Sequence, residues 1–213
     1  MTFDNNTRIR EVQKWFSVNG DGTLRMNYSL NEDSVVVDLG GYRGQFTYDI
    51  YRKYKCNVHV FEPYLSYYKV INGRFKSNEK IKVYDYGVSG KTEDLHIVDS
   101  NDGSYLLESR DVEDTSNLKI ENVKVKSFKD AYAEMGVDTI DLLKINVEGA
   151  EYDIMQNIFD SGLTSKIDNY QIQFHHISSE SEELLNNIRN ELSKTHKQDW
   201  NYEWVWENWS LKR

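Results

Sequence analysis

The chain alternates between short continuous apolar runs and segments whose apolar residues recur every three or four positions. SVVVDLGG (34–41) is a β-branched run ending in glycines, NVHVFEP (57–63) a second that Pro63 stops, and IKVYDYGVS (81–89) a third. TIDLLKINV (139–147) and DNYQIQFHHI (168–177) read as a fourth and a fifth strand. Continuous apolar runs of this length are strands buried on both faces. Between them, 44–54, 64–76, 128–136 and 150–160 take helical spacing. SEELLNNIRNELSK (181–194) sets Leu184, Leu185, Ile188 and Leu192 on one helical face. At the start, RIREVQKWF (8–16) spaces Ile9, Val12 and Phe16 as a short helix would, ahead of a Gly-rich turn at 19–22.

Strand and helix alternate through most of the chain, which predicts an α/β fold: a mostly parallel sheet with helices on both faces. Two regions depart from it. Residues 90–118 are polar with little periodicity and read as a loop or insert, with LHIV (95–98) as a short strand. KIENVKVKSF (119–128) alternates like an exposed strand through Ile120, Val123 and Val125. The tail places Trp200, Tyr202, Trp204 and Trp206 at period two, most simply a strand face packed on the core, with a substrate-stacking platform as the lesser reading. A terminal hairpin would add an antiparallel strand to the sheet.

At 213 residues the expectation is one domain, with 1–30 as a helical extension. The formal net charge is −9, from 35 acids against 26 bases, and no basic run interrupts it. Such a chain repels phosphate backbones, so nucleic acid is a poor partner for it. The single cysteine, Cys56, excludes an intrachain disulfide and a cysteine metal cluster. No run approaches the ~20 apolar residues a membrane span needs, and the N-terminus lacks a signal-type apolar core, so a cytoplasmic protein is expected.

VVVDLGGYRGQF (35–46) carries the first chemical signal. A buried strand runs into Gly40, Gly41 and Gly44 and then a helix, the arrangement that holds a nucleotide-like cofactor at the C-terminal edge of an open sheet. The spacing is G-G-x-x-G rather than the strict dinucleotide fingerprint, and a glycine turn alone is weak. Asp38 precedes the glycines, and Glu62 ends the next strand, where a carboxylate accepting from two vicinal hydroxyls would fix a ribose. The plainer role for Glu62 is an acid capping the helix after Pro63.

VVVDLGGYRGQFT, VHVFEP and IDLLKINVEGAEYDIM together resemble the FkbM family of S-adenosylmethionine (SAM)-dependent methyltransferases, over roughly 15–175 in the same order. The resemblance implies a class I, Rossmann-like fold, with a seven-stranded sheet parallel except for one antiparallel strand near the C-terminus. It implies methyl transfer to a sugar hydroxyl on a glycan, glycolipid or natural product. It places Asp38, Gly40 and Gly44 on the cofactor, with Gly41 in the same turn, and Glu62 on the ribose. Asp85 and Tyr86, at the end of the third run, fall where such folds contact adenine. Lys144, Asn146 and Glu148 would face donor and acceptor. One position departs from the family: K-I-N-V-E-G stands where K-I-D-x-E-G is usual, so Asn146 replaces an Asp. Asn146 as a plain helix cap is the alternative.

Methyl transfer to a hydroxyl needs a base, or a cation beside the forming alkoxide. Lys144 or a metal would supply charge; Glu148 or His175 would take the proton, His175 having the better-matched pKa. A local Lys144–Glu148 ion pair and an ordinary hydrogen-bonded His are the plainer alternatives. Divalent metal, homo-oligomer and a non-sugar small-molecule acceptor stay open, as does a cofactor binder with impaired catalysis. Residues 90–118 are the expected acceptor region.

Overall fold

The computed structural model describes residues 5–99, 105–106 and 119–213. The expected acceptor region therefore lies largely outside the described residues. The main sheet has seven strands: β1 (Val35–Leu39), β2 (Asn57–Phe61), β3 (Ile81–Tyr84), β8 (Leu142–Ile145), β9 (Asn169–Ile172), β10 (His196–Tyr202) and β11 (Trp206–Leu211). Their order is β10-β11-β9-β8-β1-β2-β3. Neighbours from β9 through β3 pair in parallel. β11 runs antiparallel to both β9 and β10. The sheet is thus parallel but for one strand near the C-terminus, the arrangement the resemblance implies.

Residue parity decides which helices each face receives. Val36, Val58, Val60 and Leu142 pack against α2 (Gln45–Tyr54) and α3 (Leu65–Phe75). Val37, Leu39, Leu143 and Ile145 pack against α4 (Phe128–Met135), α5 (Glu151–Asp160) and α6 (Ser181–Thr195). β-branched and Leu side chains fill both faces, which is why β1 and β8 read as apolar runs interrupted only by Asp38 and Lys144. β1 pairs with β8 on one side and β2 on the other, so the chain's direction of growth across the sheet reverses between β1 and β8. Ligands in open α/β sheets bind beyond the strand ends at such a point.

Several sequence expectations change in the structure. The run at 81–89 is not one strand: β3 stops at Tyr84, and Gly87–Ser89 forms β4 in a separate four-stranded sheet. That sheet, β4-β7-β5-β6, contains β5 (Glu93–Asp99), β6 (Tyr105–Leu106) and β7 (Lys119–Ser127). β7 alternates as expected, with Asn122 and Lys124 exposed, but its other face is covered, Val123 and Val125 being buried with Leu95 and Tyr64. In α1 (Asn5–Ser17) the buried residue is Trp15, while Ile9 and Phe16 face outward. Trp15 sits 5.6 Å from Trp200 and 5.1 Å from Tyr202. A single large aromatic docked on β10 outweighed the apolar spacing of smaller side chains.

The aromatic tail also differs from a single strand. The chain reverses at 203–205, Val205 N–H donating to the Tyr202 carbonyl, with Trp204 in left-handed conformation at φ 59°. Trp204 joins the α4–α6 core, whereas Trp200, Tyr202 and Trp206 gather around Trp15. The turn breaks the two-residue period. No helix among the described residues is long and apolar enough to cross a membrane.

Candidate active site

The C-terminal ends of β1, β2, β8 and β9 form one continuous contact chain. It begins at the glycine turn. Gly40 and Gly41 both donate their N–H to the Phe61 carbonyl at 3.1 Å, folding the turn back onto β2. Gly40 has φ +80°, and a Cβ placed there would lie 1.9 Å from the Asn146 carbonyl oxygen. Only glycine lets β1 and β8 ends approach this closely. At Gly41 and Gly44 an added Cβ would instead press on Val60 and on Phe75, so those two glycines serve packing of the turn against β2 and α3.

Glu62 lies just past β2 and is buried. Its Oε2 accepts the Tyr42 N–H at 2.7 Å and its Oε1 the Tyr64 N–H at 2.9 Å. A carboxylate has about four lone-pair sites. One bond per oxygen fixes the group and leaves each oxygen able to accept a further donor. The bond to Tyr64 reaches the N–H of the cap position itself rather than a free N–H in the first turn of α3, so Glu62 is held against the helix start without capping it. Burial pushes its pKa up from 4.5 to about 7, against the pull of the two N–H donors and Lys144.

Lys144 and Asp38 pair opposite each other across β8 and β1. Lys144 Nζ lies 2.8 Å from Asp38 Oδ1 and donates also to the Leu39 carbonyl at 3.1 Å and the Gly40 carbonyl at 2.8 Å. Asp38 Oδ2 accepts the Thr47 hydroxyl at 2.7 Å. Both charges are buried. An ammonium has three N–H donors, and all three are engaged. Burial lowers the Lys144 pKa, and the Asp38 carboxylate beside it pulls it back. Lys144, expected with Asn146 and Glu148 to face donor and acceptor, is instead taken up by Asp38 and two carbonyls. β8 ends at Ile145, and Glu148 turns out of it at φ 56°. Lys144 therefore points along the α2 side at Asp38, and no Lys144–Glu148 pair forms.

Asn146 donates its backbone N–H to the Leu39 carbonyl at 3.1 Å. Its side-chain Oδ1 is buried without a hydrogen-bond partner among the described residues. A buried acceptor left unsatisfied costs free energy that a bound donor would recover. A cap on α5 would have used that oxygen; the residue entering the helix, Ala150, has no side-chain cap bond.

At the end of β9, His175 stands between two acids. Its Nδ1 is 2.8 Å from Glu151 Oε1 and its Nε2 3.3 Å from Glu148 Oε2. Burial would lower the imidazole pKa, but Glu151 and then Glu148 outweigh it, and the net shift is upward. Glu151 is fully buried and also accepts the Val147 N–H at 3.1 Å and the Gly149 N–H at 2.9 Å. The sequence alone marks Glu151 as a first-turn acid favoured by the helix dipole; its grip on His175 was not legible there. The only signal was spacing: E-G-A-E places two acids on either side of a glycine turn. Tyr152, also unmarked, donates its hydroxyl to the His175 carbonyl at 2.7 Å. His176 turns away and meets the Trp204 ring edge-on at 5.2 Å.

Asp85 and Tyr86 stand apart from this chain of contacts. Asp85 is exposed between β3 and β4. Tyr86 is buried against Phe61 and Tyr84, with its hydroxyl donated to Glu134 at 2.9 Å. No cluster among the described residues has the make-up of a metal site.

The family profile described as the Methyltransferase FkbM domain matches residues 38–203. No curated protein matches the chain. Among solved structures, a candidate rRNA-methylase from Clostridium thermocellum aligns with TM-score 0.57 at 9% identity, covering 92% of this chain and 96% of that one. A candidate methyltransferase from Streptococcus mutans, solved with SAH, gives 0.55 at 8% identity over 92% and 97%. An rRNA methylase from Streptococcus thermophilus gives 0.51 at 11% identity over 86% and 90%. At these identities the likeness is one of fold.

Proposed function

The chain belongs to the FkbM methyltransferase family, and from that premise we propose that it is a SAM-dependent O-methyltransferase acting on a sugar hydroxyl. Glu62 is the observation that carries the donor half: a buried carboxylate, aimed by two backbone N–H groups, beside the glycine turn at the sheet's switch point. When bound, SAM supplies an activated methyl group on a sulfonium. Glu62 would accept the two ribose hydroxyls. Asp38 and Lys144 do not reach out to the donor; their buried pair holds the turn in place. Asn146 Oδ1 would accept a donor from cofactor or acceptor. Asp85 and Tyr86 keep only a loose claim to the adenine.

The acceptor half rests on His175, at the same sheet edge with its Nε2 toward an exposed carboxylate. It would take the proton of the acceptor hydroxyl, and the strand ends would hold that oxygen in line with the methyl group. The family resemblance favours a sugar acceptor. The net charge of −9 speaks against RNA, whatever the fold neighbours methylate. Incubating the protein with SAM and a glycan extract, and following SAH release, tests the reading; release with small-molecule alcohols alone would move the acceptor away from sugars. Asn146 favours a second reading, a cofactor binder with weakened catalysis. A large gain in turnover from Asn146→Asp would support it, and an unchanged or lowered rate would remove it.

Glu62 gives a pH signature. Its folded pKa is raised, so the stability contributed by its protonated form is present below 4.5 and lost as pH rises through about 7. A diol binds better to the ionised carboxylate, which accepts at both oxygens. SAH affinity measured by calorimetry should therefore rise about tenfold between roughly pH 6 and pH 8. Glu62→Gln should bind weakly with no such slope. A flat profile in the unsubstituted protein would separate Glu62 from the ligand.

A further inference from the structure

The geometry points to Glu151 as the positioning residue that turns His175 Nε2 toward the acceptor, and to Glu148 as the group occupying that nitrogen until a hydroxyl replaces it. This rests on His175 being the base proposed above. Glu151 cannot itself meet an acceptor, because it is fully buried and its oxygens already take Val147 N–H, Gly149 N–H and His175 Nδ1. It fixes the ring by its Nδ1 edge and, through the two amides, fixes the 147–149 turn that carries Glu148. A buried carboxylate behind one imidazole nitrogen selects the tautomer that leaves the other nitrogen's lone pair outward.

Glu148 differs in each respect. Its side chain is 46% exposed, its contact with Nε2 is the longer one at 3.3 Å, and its backbone sits in left-handed conformation at φ 56°. A non-glycine residue there is strained and persists where surroundings impose it. Carboxylates on both ring nitrogens are satisfied together only by the doubly protonated ring, which is no base. Among the described residues, Glu151 and Glu148 favour the charged form of the ring, and Arg8 opposes it.

When an acceptor hydroxyl displaces Glu148, one of the two stabilising carboxylates leaves. The ring then gives its Nε2 proton to solvent and presents a lone pair to the hydroxyl. In the transfer the oxygen forms its bond to the methyl carbon as the sulfur–methyl bond breaks. The hydroxyl proton moves to Nε2, leaving methyl ether, SAH and imidazolium. The base is thus generated by acceptor entry, which limits proton loss and methyl transfer to water in an empty site.

Imidazole ¹⁵N shifts of the full chain, titrated from about pH 5 to about pH 9 and assigned by loss of one signal in His175→Asn, test this. His175 should titrate above the ordinary value, and its neutral form should carry the proton on Nδ1, the minor tautomer of free histidine. Glu148→Gln should lower the midpoint and keep the tautomer; Glu151→Ala should release it to Nε2–H. A neutral Nε2–H ring in the unsubstituted protein, or a midpoint unmoved by Glu148→Gln, overturns the proposal. Should Glu151→Ala not fold, those two measurements still decide. SAH calorimetry on the same sample separates the failures: an Nδ1–H ring without SAH binding sinks only the donor reading, and SAH binding with an Nε2–H ring sinks only this one.

Discussion

Lys144→Met is expected to destabilise the protein by ~3–5 kcal/mol, because it leaves the Asp38 carboxylate buried without its counter-charge. Asp38 would keep only the Thr47 hydroxyl. The Gly40 carbonyl would lose the ammonium, while the Leu39 carbonyl would keep the Asn146 N–H. In a chain of this size the loss corresponds to a melting point lower by roughly 6–20 °C. Adding Asp38→Asn to Lys144→Met should return part of it, since removing both charges leaves nothing unpaired. Thermal melts of the two variants decide the matter. A single variant that melts within ~2 °C of the parent would mean that the pair does not hold the β1 and β8 ends together.

Gly40→Ala should be nearly as damaging, with ligand binding lost alongside stability. The left-handed backbone alone costs a residue with a Cβ about 1–2 kcal/mol. The Cβ must also displace the Asn146 carbonyl, which it would meet at 1.9 Å, and forced shifts in packed regions add roughly 1–3 kcal/mol. Moving Asn146 opens the seam between turn and β8, so SAH affinity should fall at least about tenfold, or ~1.4 kcal/mol. Gly136→Ala is the control. Gly136 closes α4 at φ +66° with no atom within 4 Å of an added Cβ. It should cost ~1 kcal/mol and leave SAH binding intact. If both variants bind SAH as the parent does, the close approach at Gly40 is unrelated to the ligand.

Much of the fold was legible along the chain. Strands buried on both sheet faces are mostly apolar, so β1, β2 and β8 announced themselves, and Pro63 and the glycines marked their ends. The glycine turn and Glu62 were legible for a similar reason: each is a local feature at a strand end. The run at 81–89 misled because β3 and β4 are both apolar and only two residues separate them. Nothing local says that the chain leaves one sheet for another at Asp85. Ile9 and Phe16 misled because helical spacing marks a face without saying what will cover it.

Sequence by itself determined the alternation of buried strands and helices that builds most of the main sheet, the glycine turn at the end of β1, and the family. Those follow from side-chain periodicity and turn chemistry, which act over a few neighbouring residues. Tertiary structure alone decided that Lys144 is consumed by Asp38, 106 residues away along the chain, rather than pairing with the nearby Glu148. It also decided that Glu151, across 24 residues, is what holds His175. A charge's role depends on which opposite charge the fold brings within about 3 Å and on whether water is left between them. Neither is written in the spacing of residues along a strand.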